Sequence, residues 1–355
     1  MRVIISGGGT GGHIFPAIAI ANAIKEKYVD CEIMFIGARD RMEMQKVPEA
    51  GYKIEGLNIS GFNRQNMLKN FSLPFKLIGC LLKAKRILRM FKPDVVIGVG
   101  GYASAAALYV ASSLHIPTII QEQNSFPGIT NKILAKRVNR ICVAYSGMDK
   151  WFPKGKIVMC GNPVRQSISN SEANSNKQYS KAILVVGGSL GALTINESIA
   201  RNLDFFVKND MHLVWQTGKY YYERAKQQTS SLNTDNIKAY EFIKEMDKAY
   251  AEADYIISRA GALAISELAI VGKPVILVPS PNVAEDHQTK NAMALSTKDA
   301  ALLVADSEAR ANLIPTLKNL INNPVLCSTL KTNIASFAVR DADKKIVEQI
   351  EQYLK

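Results

Sequence analysis

Disulfide chemistry has little to work with in this 355-residue chain. Its five cysteines, Cys31, Cys80, Cys142, Cys160 and Cys327, are scattered, odd in number and never spaced as CxxC. That argues against a stapled secreted domain and a zinc ribbon, and predicts free thiols in a reducing compartment. The four histidines, His13, His115, His212 and His287, lie far apart with no metal-ligand spacing, so no metal is expected. Asp, Glu, Lys and Arg are all missing from Val95 to Gln121, a gap long enough for a membrane span. Its interior argues otherwise. Val95–Val99 reads as a strand, Gly100-Gly101 as a loop, Ser104–Leu114 as a small-residue helix and Pro117–Ile120 as a second strand. This is a buried βαβ unit, whose parallel strands should be apolar throughout. The first core strand begins at Met1, which predicts no signal peptide.

What is present suits two domains. Apolar residues make up 47% of the chain, ample for a core, and a charged content of 21% argues against wholesale disorder. The formal charge of +13 points to an anionic partner: nucleotide, nucleic acid or anionic lipid. Strands are predicted near 2–6, 32–36, 95–99, 117–121 and 140–144, then near 182–186, 212–216, 237–240, 255–258 and 274–278. Helical stretches alternate with them, the pattern of two doubly wound α/β domains. The join is Gly161-Asn-Pro-Val-Arg165 followed by a polar run from Ser167 to Ser180. The division is therefore 1–161 and 162–340, with a C-terminal helix at 341–355 assigned to the first domain.

Each half opens on a strand that runs into a glycine loop. The first is Gly7-Gly-Gly-Thr-Gly-Gly12-His13, and the helix beyond it begins near Pro16. Free backbone N–H groups and the positive end of the helix dipole make such a loop a site for an anionic or polar ligand. His13 sits at its mouth and reads as a proton acceptor. The second loop is Gly187-Gly-Ser-Leu-Gly-Ala192. Neither ends in the Gly-Lys-Ser/Thr of a P-loop, so phosphoryl transfer from ATP is not supported. The first matches G-x-G-x-x-G, but the second strand ends Phe35-Ile-Gly-Ala-Arg39 with no acid to hold an NAD ribose. The densest polar constellation runs from Ser258 to Glu267 and on through Glu285-Asp-His-Gln-Thr-Lys-Asn291. A carboxylate such as Glu267 accepts two hydroxyls at once, which suits a ribose diol, and amides such as Gln288 and Asn291 suit sugar hydroxyls. All follow the C-terminal ends of predicted parallel strands, where open α/β sheets bind ligands.

Taken in order, Gly8–His13, Gly100-Gly-Tyr-Ala-Ser104, Glu122-Gln-Asn124, Gly161–Arg165, Gly187-Gly-Ser189, Phe242-Ile243, Gly261–Glu267 and His287-Gln288 resemble the MurG family, glycosyltransferase family 28. The resemblance spans nearly the whole chain. It implies a GT-B architecture of two Rossmann-like domains facing a cleft. It also implies transfer of N-acetylglucosamine from UDP-N-acetylglucosamine to an undecaprenyl-diphosphate-linked muramyl-pentapeptide, with inversion and with neither cofactor nor metal. By the same resemblance, Ser189 and Arg165 meet the diphosphate and Ile243 contacts uracil through its backbone. Ala262, Leu263 and Ala264 line the phosphate turn, and Glu267 holds the ribose. Gln288 reads the sugar, and Asn124 reaches the donor from the first domain. Thr10, Gly11 and Gly12 are assigned to the donor, Thr10 also facing the acceptor. His13 is the base, and Tyr102 and Asn196 fall on the acceptor side. Two departures stand out: Ala264 replaces a hydroxyl residue, and Ala105-Ala106 replaces a common Gly-Pro.

Between Gly56 and Pro93 there are eight Lys or Arg and no acid, interleaved with apolar residues. Such a basic amphipathic stretch suits an anionic membrane, entered by Leu77, Leu81 and Leu88 and held by Lys85 and Arg86. The protein is expected to sit peripherally on the cytoplasmic face of the cell membrane. No nucleic-acid recognition motif accompanies the charge. Three alternatives stand beside this reading: a family 28 enzyme with a diacylglycerol acceptor, a hydrolysing UDP-N-acetylglucosamine epimerase, and a non-catalytic UDP-sugar-binding scaffold.

Overall fold

The computed structural model describes residues 1–59, 73–169, 181–188, 190–232 and 234–353. The chain divides into two compact units, Met1–Val164 with Asp341–Lys355, and Arg165–Arg340. Each is an α/β unit on one parallel sheet.

The first unit holds β1 (Arg2–Gly7), β2 (Glu32–Ala38), β3 (Lys53–Leu57), β4 (Val95–Gly100), β5 (Thr118–Glu122), β6 (Arg140–Val143) and β7 (Ile157–Met159), in the order β3-β2-β1-β4-β5-β6-β7. Side chains alternate across this sheet. Ile4, Ile36, Val96, Ile120 and Ile141 enter the core under the helices Leu73–Phe91 and Tyr102–Ser113. Val3, Ile5, Val95, Ile97 and Ile119 enter the opposite core, under the helix Gly11–Lys27. The C-terminal helix Ala342–Glu351 contributes Ile346, Val347 and Ile350 to that second core. Tyr28 donates to Glu351 at 2.6 Å, and Lys27 pairs with the same carboxylate.

The second unit holds β8 (Ala182–Val186), β9 (His212–Gln216), β10 (Ile237–Tyr240), β11 (Tyr255–Ser258), β12 (Val275–Leu277) and β13 (Leu302–Leu303), in the order β10-β9-β8-β11-β12-β13. All ten strands expected from the sequence are present. The three it missed, β3, β7 and β13, are edge strands. β3 carries Lys53 and Glu55, and the other two span only three and two residues. Edge strands are wet on one side and lack the continuous apolar run that marks a central parallel strand. The uncharged Val95–Gln121 segment is the βαβ unit β4, helix Tyr102–Ser113 and β5. Among the described residues, no helix is long and apolar enough to cross a membrane.

Strand order reverses at β1 in the first sheet and at β8 in the second. Both glycine loops leave the C-terminal end of that central strand, the switch point where doubly wound sheets take ligands.

Candidate functional site

In the first unit the helix begins earlier than the sequence suggested, at Gly11, with Thr10 as its extended N-cap. His13 therefore lies in the first turn. Thr10 and Gly12 are exposed, and Gly11 and His13 are half-buried. His13 Nδ1 lies 3.0 Å from the Gly8 carbonyl oxygen. A carbonyl only accepts, so Nδ1 carries the proton and Nε2 is the basic atom. The ring lies over Gly100, whose φ is +108°; a Cβ there would stand 2.7 Å from Nε2. Glycine at this position thus sets both the turn and the space for the imidazole. The next residue but one, Tyr102, opens its helix and is exposed. Thr10, Gly11, Gly12, His13 and Tyr102 are therefore brought together at the ends of β1 and β4.

Asn124 follows β5 at the same edge. Its backbone N–H and side-chain Nδ2 donate to Glu122 Oε1 at 3.0 and 3.2 Å. Glu122 is buried, and its other oxygen accepts from the Gly128 N–H and Asn131 Nδ2 at 3.1 and 2.7 Å. The carboxylate in the Glu122-Gln-Asn124 motif thus organises the loop that carries Asn124.

In the second unit a cavity of about 570 Å³ lies at the ends of β8, β11 and β12. Gly187, Gly188, Gly191, Gly261, Ala264 and Gln288 line it. Its size suits a small-molecule ligand. The helix Ala262–Val271 opens at this cavity with Gly261 as an extended N-cap. Its first N–H groups, those of Ala262, Leu263 and Ala264, have no intrahelical acceptor, the kind of helix end that suits an anion. Gln288 Oε1 accepts from the Ser280 N–H at 2.8 Å, which orients its amide. Ser189 lies outside the described residues.

The structure ties together two residues given separate roles by the sequence. Arg165 Nε and Nη2 donate to Glu267 Oε1 and Oε2 at 2.9 and 3.0 Å, a bidentate pair. Tyr250, fully inside, donates to Glu267 Oε2 at 3.3 Å. Burial pushes the Tyr250 phenol well above its ordinary range, and the Glu267 charge adds to it. Burial opposes the Arg165 charge, but the bond to Glu267 and its charge raise the guanidinium above its usual value. Ile243 is also more constrained than expected. Its N–H donates to Gln216 Oε1 at 2.9 Å, which leaves its carbonyl for any backbone contact to a base. The same Gln216 donates from Nε2 to the Gly188 carbonyl at 3.2 Å, linking the glycine loop to Ile243.

One expected site residue does not fit its place. Asn196 is 1% exposed. Its Nδ2 donates to the Thr217 carbonyl at 2.8 Å and its Oδ1 accepts from Trp215 Nε1 at 3.0 Å. With both ends of the amide spent inside the core, Asn196 braces β9 and does not face an acceptor. Sequence reasoning also missed Arg259 and Asp306, which line the cavity as a half-buried ion pair. Arg259 directly follows β11, a usable signal; Asp306 follows the unpredicted β13 and carried none.

The basic stretch needs a correction too. Residues 60–72 lie outside the described residues, and the rest forms the helix Leu73–Phe91. Cys80, Ala84, Ile87 and Leu88 pack into the core, so Leu88 does not face a membrane. Leu81 is half-buried against the same core. Leu77, Ile78, Leu82 and Met90 are the exposed apolar residues, and Lys85, Arg86 and Arg89 are exposed beside them. Ile78, Leu82, Lys85 and Arg89 recur at helical spacing and share a face. Lys83 is turned to the protein, donating to the Gly56 carbonyl at 2.8 Å and pairing with Glu55 at 3.2 Å.

Among the described residues, no group of three or more His, Cys, Asp or Glu could hold a metal ion. The single Asp-x-Asp of the chain, Asp341-Ala-Asp343, opens the C-terminal helix of the first unit, with Asp341 paired to Lys345 at 3.0 Å.

Comparison with known proteins agrees with this geometry. Residues 3–143 match the glycosyltransferase family 28 N-terminal domain and residues 182–346 the glycosyltransferase family 28 C-terminal domain. The chain is 52% identical to the UDP-N-acetylglucosamine–N-acetylmuramyl-(pentapeptide) pyrophosphoryl-undecaprenol N-acetylglucosamine transferase of Parabacteroides distasonis, over 98% of this chain and 97% of that protein. It is 54% identical to the transferase of the same name from Cytophaga hutchinsonii, over 98% of this chain and 96% of that one. The crystal structure of MurG from Acinetobacter baumannii superposes with a TM-score of 0.82 at 28% identity, over 99% of each chain. The two doubly wound units are those of a GT-B enzyme, and the chain belongs to glycosyltransferase family 28.

Proposed function

We propose that this chain transfers N-acetylglucosamine from UDP-N-acetylglucosamine to the lipid-linked muramyl-pentapeptide, the step from lipid I to lipid II in peptidoglycan synthesis. The observation that carries this reading is identity of about half the residues to transferases of that name over nearly the full length of both chains. The site geometry supports it with a basic nitrogen at one glycine loop and an anion-binding helix terminus at the other.

In the mechanism we favour, the acceptor hydroxyl attacks the anomeric carbon and the configuration inverts. His13 Nε2 takes the hydroxyl proton as the bond forms. UDP leaves with developing negative charge. The N–H groups of residues 262–264 are placed to stabilise it without a metal. Glu267, held by Arg165 and Tyr250, receives the ribose, and Gln288 the sugar. The first unit, 1–164 with 341–355, then handles the acceptor, and the second, 165–340, the donor.

Charge distribution supports a membrane-facing role for the first unit. It holds 25 of the 44 Lys and Arg but 14 of the 31 Asp and Glu, net +11, against +2 for the second unit. An anionic membrane surface therefore fits as a peripheral partner, met from the cytoplasmic side. Measuring UDP release with and without a lipid-linked muramyl acceptor tests the function. Release that depends on the acceptor supports it, and equal release without acceptor contradicts it.

A further inference from the structure

A buried carboxylate from outside the first glycine loop grips the same peptide group that holds His13. Glu43 opens the short helix Glu43–Glu49 after β2 and is 1% exposed. Its Oε1 accepts from the Ala38 N–H and its Oε2 from the Gly9 N–H, both at 2.9 Å. No Lys, Arg or His among the described residues forms an ion pair with it. The backbone is shaped to admit it, since a side chain at Gly8 or at Gly37 would collide with the Glu43 carboxyl arm.

The Gly9 N–H and the Gly8 C=O belong to one peptide group. Its N–H end bonds Glu43 and its C=O end lies 3.0 Å from His13 Nδ1. The result is a continuous chain: His13 Nδ1–H donates to Gly8 O, and Gly9 N–H donates to Glu43 Oε2. Hydrogen bonds in series polarise one another, so a carboxylate on the N–H makes the carbonyl a better acceptor. Which histidine nitrogen carries the proton is set by the bond that the other makes.

We propose that Glu43 is a positioning residue for transfer: acting through the Gly8–Gly9 peptide, it holds His13 in the Nδ1–H tautomer with Nε2 as the proton acceptor. This rests on the reading of His13 as the base. In the step itself the proton passes from the acceptor hydroxyl to Nε2, the hydroxyl oxygen bonds the anomeric carbon, and the bond to UDP breaks with its electron pair. Glu43 gains and loses nothing.

The test is long-range ¹H–¹⁵N spectroscopy of the full chain labelled with [¹⁵N]histidine, with His13 assigned by the signals lost in His13→Ala. The wild type should show His13 with its proton on Nδ1. Glu43→Gln keeps the size but sets an amide N–H₂ against one of the two backbone donors, so the Gly8–Gly9 peptide should shift off His13 Nδ1 and leave His13 a mixture of tautomers. Turnover should fall about 10–100-fold, as for other groups that orient a functional histidine. Affinity for UDP-N-acetylglucosamine, measured by calorimetry, should stay the same. If Glu43→Gln does not fold, Glu43→Asp, which withdraws the carboxylate from the peptide, is read the same way. A wild-type His13 protonated on Nε2, or a tautomer unmoved in the folded variant, overturns the relay. Wild-type turnover in His13→Ala overturns the base reading instead, and so the two failures are distinguishable.

Discussion

At the scale of single residues, the site depends on which atom of each side chain is already committed. His13 commits Nδ1 to Gly8, which leaves Nε2 as the acceptor that the proposed base role needs. His13→Ala should therefore lower turnover by about 10²–10⁴-fold while UDP-N-acetylglucosamine affinity barely changes. Wild-type turnover in a folded His13→Ala protein would contradict the assignment. Glu267 commits both oxygens to Arg165 and one of them also to Tyr250. Glu267→Ala should cost about 2–4 kcal/mol in kcat/KM, because on the proposed reading it removes the diol acceptor, and it also strands the buried Tyr250 hydroxyl and leaves Arg165 without its partner. Unaltered UDP binding by calorimetry in that variant would refute the ribose role. These residues were legible in the sequence because each sits in a short motif after a predicted strand. Their partners were not. Glu43 and Tyr250 reach the site through the fold, from 34 and 17 residues away along the chain, and no local pattern marks such a distance. Asn196 shows the converse: it matches a family position along the sequence, but in the fold Trp215 and Thr217 occupy its amide.

Among the elements, the central strands were readable because burial on both faces makes them continuously apolar; of the four edge strands only β10 was, and β3, β7 and β13 are too short or too wet to show that pattern. The helix Leu73–Phe91 was readable in composition but not in rotation. Interleaved basic and apolar residues said that it is amphipathic, yet only its packing tells Leu88, in the core, from Leu82, outside. That rotation makes a sharp prediction. Ile78→Ser with Leu82→Ser should weaken sedimentation with anionic liposomes and leave the thermal midpoint nearly unchanged. Leu88→Ala should instead destabilise the fold by about 2–5 kcal/mol in chemical denaturation. Replacing Lys76, Lys85, Arg86 and Arg89 by Gln should reduce liposome binding and its salt dependence, each cation contributing about 1 kcal/mol near an anionic leaflet. Turnover should then drop more on a lipid-embedded acceptor than on a short-chain soluble one. Equal loss on both, or unchanged sedimentation, would reduce this helix to a core element with a solvated face.

For the whole molecule, two doubly wound units carry different burdens. The first holds His13 and a net charge of +11; the second holds the cavity of about 570 Å³ and is nearly neutral. Two separate glycine loops in one sequence announced this duplication, and the uneven charge is legible there too, since residues 1–164 carry it and residues 341–355 add only a net −1. If helix N-termini stabilise the leaving diphosphate, as proposed, transfer should survive exhaustive chelation. Loss in EDTA that Mg²⁺ or Mn²⁺ restores would contradict that. The central claim is tested most directly by following labelled N-acetylglucosamine. Purified protein, UDP-N-acetylglucosamine labelled in the sugar, and liposomes carrying the undecaprenyl-diphosphate-linked muramyl-pentapeptide are combined, and the label is partitioned between lipid and water. The account predicts one labelled sugar in the lipid fraction for each UDP released, and almost none with His13→Ala. UDP released while the label stays in water, with the acceptor present, would contradict it.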